Sequence, residues 1–200
     1  MTSTQMSNQN PATYVQSAPE KVYEYIEDDL LYACDILPYA TDDQYRESND
    51  YRFSKGAALG LLTKVYATWA GYPVKDESKW EAAAKTARIL VESGKHGLLK
   101  DYEQLWKNTC NGTWDPTESL IEISFYSPTV SGNSDPVGRI GKWNGVKTTA
   151  IAGVRGSCAA NVKVVHTFVL DWREDVSDIR RDLSIANYQY TDTKKSLWVA

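Results

Sequence analysis

Four aspartates, Asp171, Asp175, Asp178 and Asp182, crowd one short stretch and are interleaved with Arg173, Arg180 and Arg181. Two carboxylates set across a sugar linkage are the machinery of a glycoside hydrolase, provided one of them has a raised pKa. Here each acid has a cationic neighbour, which favours the ionised form and lowers the pKa. The pattern therefore reads as a salt-bridged loop; Asp171 and Asp182 are the pair to change if hydrolysis were the activity. A calcium site from Asp171, Asp175 and Asp178 does not have EF-hand spacing. The two histidines fare no better as catalysts, because no G-x-S-x-G accompanies them. His96, in Gly94-Lys95-His96-Gly97, reads as an imidazole at a helix exit, near the negative end of the dipole. His166 lies in an apolar run and reads as a packing residue.

Cys34, Cys110 and Cys158 are widely spaced, with no C-x-x-C and no histidine at ligand distance. That excludes a zinc ribbon or a thioredoxin motif, and an odd number leaves at least one thiol free. No P-loop or dinucleotide fingerprint is present. No catalytic machinery, metal or cofactor is expected.

The elements that would carry any site can be read from composition and periodicity. The chain has 200 residues, 42% apolar and 24% charged, with a net charge of −4. This is ordinary globular composition for one domain, or a domain and a half. A mildly acidic chain does not have the footprint of a nucleic-acid binder. No apolar run reaches the roughly 18 residues of a membrane span. The aromatic set is 7 Trp and 13 Tyr against 3 Phe, and aromatics with a polar edge suit half-wet surfaces.

Pro19 and Glu20 open a helix that runs to about Leu37, stopped by Pro38, with Val22, Tyr25, Ile26, Leu30 and Ala33 as its apolar stripe. Residues 39–53 are a polar loop. Ser54 caps a second helix to about Ala70, ended by Gly71 and Pro73. A third begins at the capping box Ser78-x-x-Glu81 and stops at Gly94. Ala57, Ala58 and Gly60 on one helix, with Ala82, Ala83, Ala84 and Ala87 on the next, permit close antiparallel packing. Trp69 and Trp80 fall on the helix stripes and Trp106 on a short helix of residues 102–108, so all three read as core. Residues 119–126 and 184–190 are strand candidates. Residues 127–160 form a long glycine-rich loop, 161–170 a helical turn, and 171–182 a charged loop. The order Leu59-Gly60, Tyr66, Gly71, Ala83, Ala87 resembles a tetratricopeptide helix pair. The fold class expected is mainly α: tetratricopeptide-like helix pairs (an α/α superhelix) with long irregular loops and minor strands.

Five segments in order resemble the SusD/RagB family of outer-membrane nutrient-binding lipoproteins of Bacteroidetes. They are VYEYIEDDLLYACDILP (22–38), YRFSKGAALGLLTKVYATWAG (51–71), KWEAAAKTARILVESGKHGLLKDYEQLW (79–106), ESLIEISF (118–125) and LDWREDVSDIRRDLSIANYQY (170–190). The second carries the family's Arg-x-x-Lys-x-Ala-Ala pattern in Arg52, Lys55, Ala57 and Ala58. Family members are longer and begin with a signal and a lipidated cysteine. Residues 1–19 have no apolar signal core, and Leu31-Tyr32-Ala33-Cys34 follows acidic residues, not an apolar run. The chain therefore reads as a central portion: residues 1–18 a flexible segment, 19–108 a helical frame, and 109–200 a loop-rich part.

The resemblance implies non-catalytic binding of an oligosaccharide or other nutrient at the cell surface. It also implies delivery to a SusC-like TonB-dependent transporter, with membrane attachment only through a lipid anchor of the parent protein. Ligand residues vary across the family, so what transfers is location, in irregular loops leaving the helical frame. There an indole face can stack on the C–H face of a pyranose while amides and guanidinium groups bind its hydroxyls. Trp143, flanked by Arg139, Lys142 and Asn144, is the leading candidate, and Trp114 in Asn111-Gly112-Thr113-Trp114-Asp115 the second. Trp172, between Asp171 and Arg173, reads as structural. The rival functions are a tetratricopeptide scaffold for a protein partner and, behind it, a glycoside hydrolase.

Overall fold

The computed structural model describes residues 15–44, 46–47, 50–123, 140–151, 156–172, 177–191 and 194–197. The strand candidate beyond Ile123, Arg139, Arg173, Asp175 and Trp198 lie outside the described residues. The architecture is mainly α. In chain order come α1 (Pro19–Ile36), α2 (Lys55–Trp69), α3 (Lys79–Glu92), α4 (Tyr102–Asn111), α5 (Ile140–Asn144), α6 (His166–Asp171) and α7 (Ile179–Ser184). Then β1 (Tyr188–Thr191) pairs antiparallel with β2 (Lys194–Leu197), Tyr188 facing Leu197. The chain divides into two compact units, Met1–Lys100 with Gln104–Glu122, and Asp101–Glu103 with Ile123–Ala200.

In the first unit the helices begin and end for local reasons. Pro19 occupies the first turn of α1, where its missing N–H costs no hydrogen bond. Ser54 caps α2, its hydroxyl oxygen accepting from the Ala57 N–H at 3.2 Å. The expected capping box on α3 does not form. Ser78 is helical itself and spends its hydroxyl on the Asp76 carboxylate at 2.5 Å. Asp76 also accepts from the Ser78 N–H at 3.2 Å, and its carbonyl accepts from the Lys79 N–H at 3.0 Å. An ionised carboxylate outcompetes a neutral hydroxyl for this role. Gly94, at φ +64°, ends α3 in the left-handed region, as its position predicts.

The core gathers Leu30 of α1, Leu62, Tyr66 and Trp69 of α2, and Ala83 of α3. Here the α1 stripe differs from its expected face. Val22, Tyr25 and Ile26 are exposed, whereas Tyr23 and Cys34 pack on the core. Tyr23 stacks on Trp69 at 5.1 Å between ring centroids and 10° between planes. Glu27 lies on this inner face, one turn from each of Tyr23 and Leu30. Its carboxylate accepts from Lys79 Nζ at 3.1 and 3.2 Å, and from the Tyr66 hydroxyl. The same ammonium sits 3.8 Å from the Trp69 ring centre and 5.3 Å from that of Tyr66. One cation at the first turn of α3 is thus held by an acid of α1 and two rings of α2.

Two further contacts fix the edges of this unit. The His96 ring lies where a Cβ at Gly56 would stand, 2.1 Å from that position through Nε2. Its Nδ1–H donates to the Pro116 carbonyl at 3.0 Å. Leu120 likewise fills the space beside Gly60, 2.8 Å from where a Cβ would be. The Gly97 N–H donates to the Thr117 carbonyl, and the Leu99 N–H to Glu118 Oε2 at 2.6 Å. Residues 113–120 are thereby bound to the helical frame. The first compact unit consequently extends to Glu122. Residues 119–123 form no strand, and Ile121 and Ile123 are exposed.

Lys79→Ala should lower stability by about 2 kcal/mol, since it removes a cation–π contact and leaves a half-buried carboxylate short of a partner. A change below about 0.5 kcal/mol in urea denaturation would mean the cluster is incidental. Burial pushes the Tyr66 phenol pKa well above the ordinary value of 10, and its hydrogen bond to Glu27 adds to the shift. The folded state therefore keeps a proton that the unfolded state loses, so this contribution is complete below about pH 10 and declines above it. Urea midpoints at pH 9 and pH 11 should fall more for the natural chain than for Tyr66→Phe; parallel falls would contradict this. Gly56→Ala should cost about 1–2 kcal/mol through collision with the His96 ring, despite better helix propensity. In a His96→Ala background the same change should be neutral or mildly stabilising, which a double-mutant cycle reads directly.

Candidate functional site

Trp143 lies on the single-turn helix α5, not in an open loop, and is 47% exposed. The helix is closed by the Gly145 N–H donating to the Gly141 carbonyl at 3.0 Å, while the Cys158 thiol donates to the same carbonyl at 3.2 Å. The Trp143 carbonyl accepts from the Asn161 N–H at 2.6 Å, and Thr148 and Cys158 exchange both backbone bonds. The Lys147 carbonyl accepts from the Tyr190 N–H at 2.9 Å. Three segments of the second unit, residues 141–148, 156–165 and β1, are thus tied together, and α7 with the turn after it lines the same cavity.

They enclose a cavity of about 610 Å³, within the range of small-molecule sites. Its walls include the aliphatic side chains of Val146, Val162, Val164, Val169, Leu183 and Ile185. Asn144, Lys147, Lys163, His166, Asp182, Asn187 and Tyr188 supply its polar and aromatic lining. Asn144, the neighbour of Trp143, is therefore a cavity residue, as well as an exposed one. Tyr188 meets Tyr190 edge to face at 5.6 Å.

The second tryptophan candidate has a different fate. Trp114 belongs to the first unit and is only 8% exposed. Its ring packs against Tyr51 at 5.8 Å and under the Arg46 guanidinium at 5.3 Å. Arg46 meanwhile donates to the Asp50 and Arg52 carbonyls, each at 2.8 Å. Trp114 thus closes the polar loop 39–53 and presents no open face to a sugar. Trp80 and Trp106, expected in the core, are exposed: the buried stripe of α3 runs through the small residues Ala83 and Thr86 instead of Trp80, and α4 buries no residue. Trp69 is buried as expected.

In the acid-rich stretch Asp178 and Asp182 are ion-paired, and Asp171 is exposed at the end of α6. Arg180 beside Asp178 holds that carboxyl well below the usual range, and the Trp172 indole N–H donates to it at 3.0 Å. Asp178 also caps α7, accepting from the Arg180 N–H. Arg181 grips Asp182 at 2.8 and 3.2 Å and lowers its pKa. An acid held ionised in this way is unsuited to donate a proton to a leaving group. Trp172 is structural, braced by Phe168 as well as Asp178. His166, in contrast, is exposed at the cavity, because the apolar run around it is a wall of the second unit. His96 docks on the N-terminal turn of α2, not at the end of α3 as its position in the sequence implies.

Among the described residues no group of three or more metal-type side chains converges, and no helix is long and apolar enough to cross a membrane. The three cysteines are free, and burial pushes the Cys34 thiol pKa up. Lys147, Lys163, Asn187 and Tyr188 are the lining residues that sequence reasoning missed. Their association depends on backbone pairing between segments about forty residues apart, for which the sequence carries no periodic signal.

The fold and site together describe a helical frame followed by an irregular unit with a ligand-sized, largely apolar cavity. The chain is similar to a SusD-like protein of Bacteroides ovatus, 26% identical over 136 residues. The matched region covers 62% of this chain and 24% of that protein, so the chain spans a fraction of its relative's length. No family model matches the chain. The resemblance to SusD-like proteins is borne out by this alignment over that part of the chain.

Proposed function

We propose that this chain is the part of a SusD-type surface protein that binds an oligosaccharide or related nutrient without catalysis. The similarity to a SusD-like protein carries the reading, and the cavity beside an accessible indole supplies a place for it. Trp143 offers its ring face to a pyranose, and Asn144 provides an amide that can both donate to and accept from hydroxyls. Arg139 joins this set by its position in the chain. Helices α1 to α3 serve as frame. The parent protein sits at the outer membrane through a lipid anchor and hands its ligand to a SusC-like TonB-dependent transporter. Tight binding would defeat such a transfer, so dissociation constants of about micromolar or weaker are expected.

The exposed Tyr25, Leu31, Tyr32 and Ile36 of α1 favour a second reading, a tetratricopeptide-type scaffold for a protein partner. Native affinity electrophoresis against a polysaccharide panel separates the two. The chain should be retarded by at least one glycan, and Trp143→Ala should abolish that retardation while Trp114→Phe leaves it intact. A folded chain that no glycan retards would refute the oligosaccharide reading and leave the scaffold.

A further inference from the structure

We propose that the cavity between Asn144 and Tyr188 receives an anionic saccharide unit, whose carboxylate or sulfate is held by Lys147, Lys163 and His166. This rests on the oligosaccharide-binding reading and narrows its ligand class. Four ionisable side chains of the usual charge range line the cavity: Lys147, Lys163, His166 and Asp182. The negative one is already answered, since Arg181 binds Asp182 through two nitrogens at 2.8 and 3.2 Å. Neither lysine has an ion-pair partner among the described residues. The chain as a whole carries −4, so this lining inverts the sign of the molecule locally.

The surroundings strengthen that inversion. Aliphatic walls lower the local dielectric, and a cleft lined by one sign of charge concentrates the opposite sign. Lys147 stands on backbone paired to β1 at its own carbonyl and next to the Thr148–Cys158 bridge. Its charge is therefore presented from a defined wall. His166 provides an N–H donor in either protonation state. Asn144 and Asn187 line the same cavity and carry amides for the hydroxyls of the same ring.

The test is calorimetric titration with three matched oligosaccharides of equal length: a uronate oligomer, its neutral carboxyl-reduced counterpart, and a sulfated neutral oligomer. At low salt at least one anionic oligomer should bind about tenfold tighter than the neutral one, and the margin should shrink as salt rises. Comparing the uronate and sulfated arms identifies which anion the cavity takes. In Lys147→Gln/Lys163→Gln the preference should fall below about twofold, with circular dichroism unchanged, and Lys147→Arg/Lys163→Arg should retain it. Equal binding of neutral and anionic oligomers, or a preference that survives the glutamine pair, overturns the proposal and leaves the oligosaccharide reading standing. Binding of none of the three by the folded chain overturns both.

Discussion

The helical frame depends on one ammonium group placed where three helices meet. Lys79 is the first residue of α3, yet its charge is shared by Glu27 of α1 and the rings of Tyr66 and Trp69 on α2. Such a group is costly to desolvate alone. Paired with a carboxylate and covered by aromatic faces, it becomes a directional link that apolar packing cannot provide. Leucines at the same positions would permit several rotations of α1 about its axis. An acid that must meet one lysine and one phenol permits a single rotation, and it selects Tyr23, Glu27, Leu30 and Cys34 as the inner face.

From that link the packing of the first unit follows in steps. With α1 and α3 fixed on α2, the outer side of α2 is left with glycines at 56 and 60. Each gap is filled by a side chain from later in the chain, the His96 ring at Gly56 and Leu120 at Gly60. These two insertions, with the Pro116, Thr117 and Glu118 acceptors, bring residues 113–120 against the frame. That placement sets Trp114 under Arg46 and Tyr51 and orders the preceding polar loop. The chain from 112 to 122 is irregular in backbone but belongs to the helical unit.

Local signals in the sequence were legible, and they concern elements that stabilise themselves. Pro19, Ser54 and Gly94 mark helix ends through effects confined to a few residues, and the mainly α class follows from them. The inner face of α1 was not legible, because periodicity counts apolar residues and Glu27 is charged. Its burial makes sense only once Lys79 and Tyr66 are known to face it. Ser78-x-x-Glu81 misled for a related reason: the motif was present, but Asp76 supplied a stronger acceptor two residues earlier. In the second unit, Asn144 was found through its neighbour Trp143. The cavity itself arises from the Tyr190–Lys147 and Thr148–Cys158 backbone bonds, which no side-chain pattern announces.

Trp114 and Trp143 show why residue type and loop position underdetermine a site. Both sit among polar neighbours in stretches without long helices, and both could stack on a sugar. What separates them is the fate of nearby backbone carbonyls. Around Trp114, Arg46 has to satisfy the carbonyls of Asp50 and Arg52, and a guanidinium held there needs a cover. An indole is suited to that place, because its electron-rich face balances the cation. Around Trp143 the Gly141 carbonyl is satisfied by the Gly145 amide and the Cys158 thiol, and the Trp143 carbonyl by Asn161. There the indole is 47% exposed. The local hydrogen-bond balance thus makes Trp114 a buried structural post, whereas Trp143 stays half exposed.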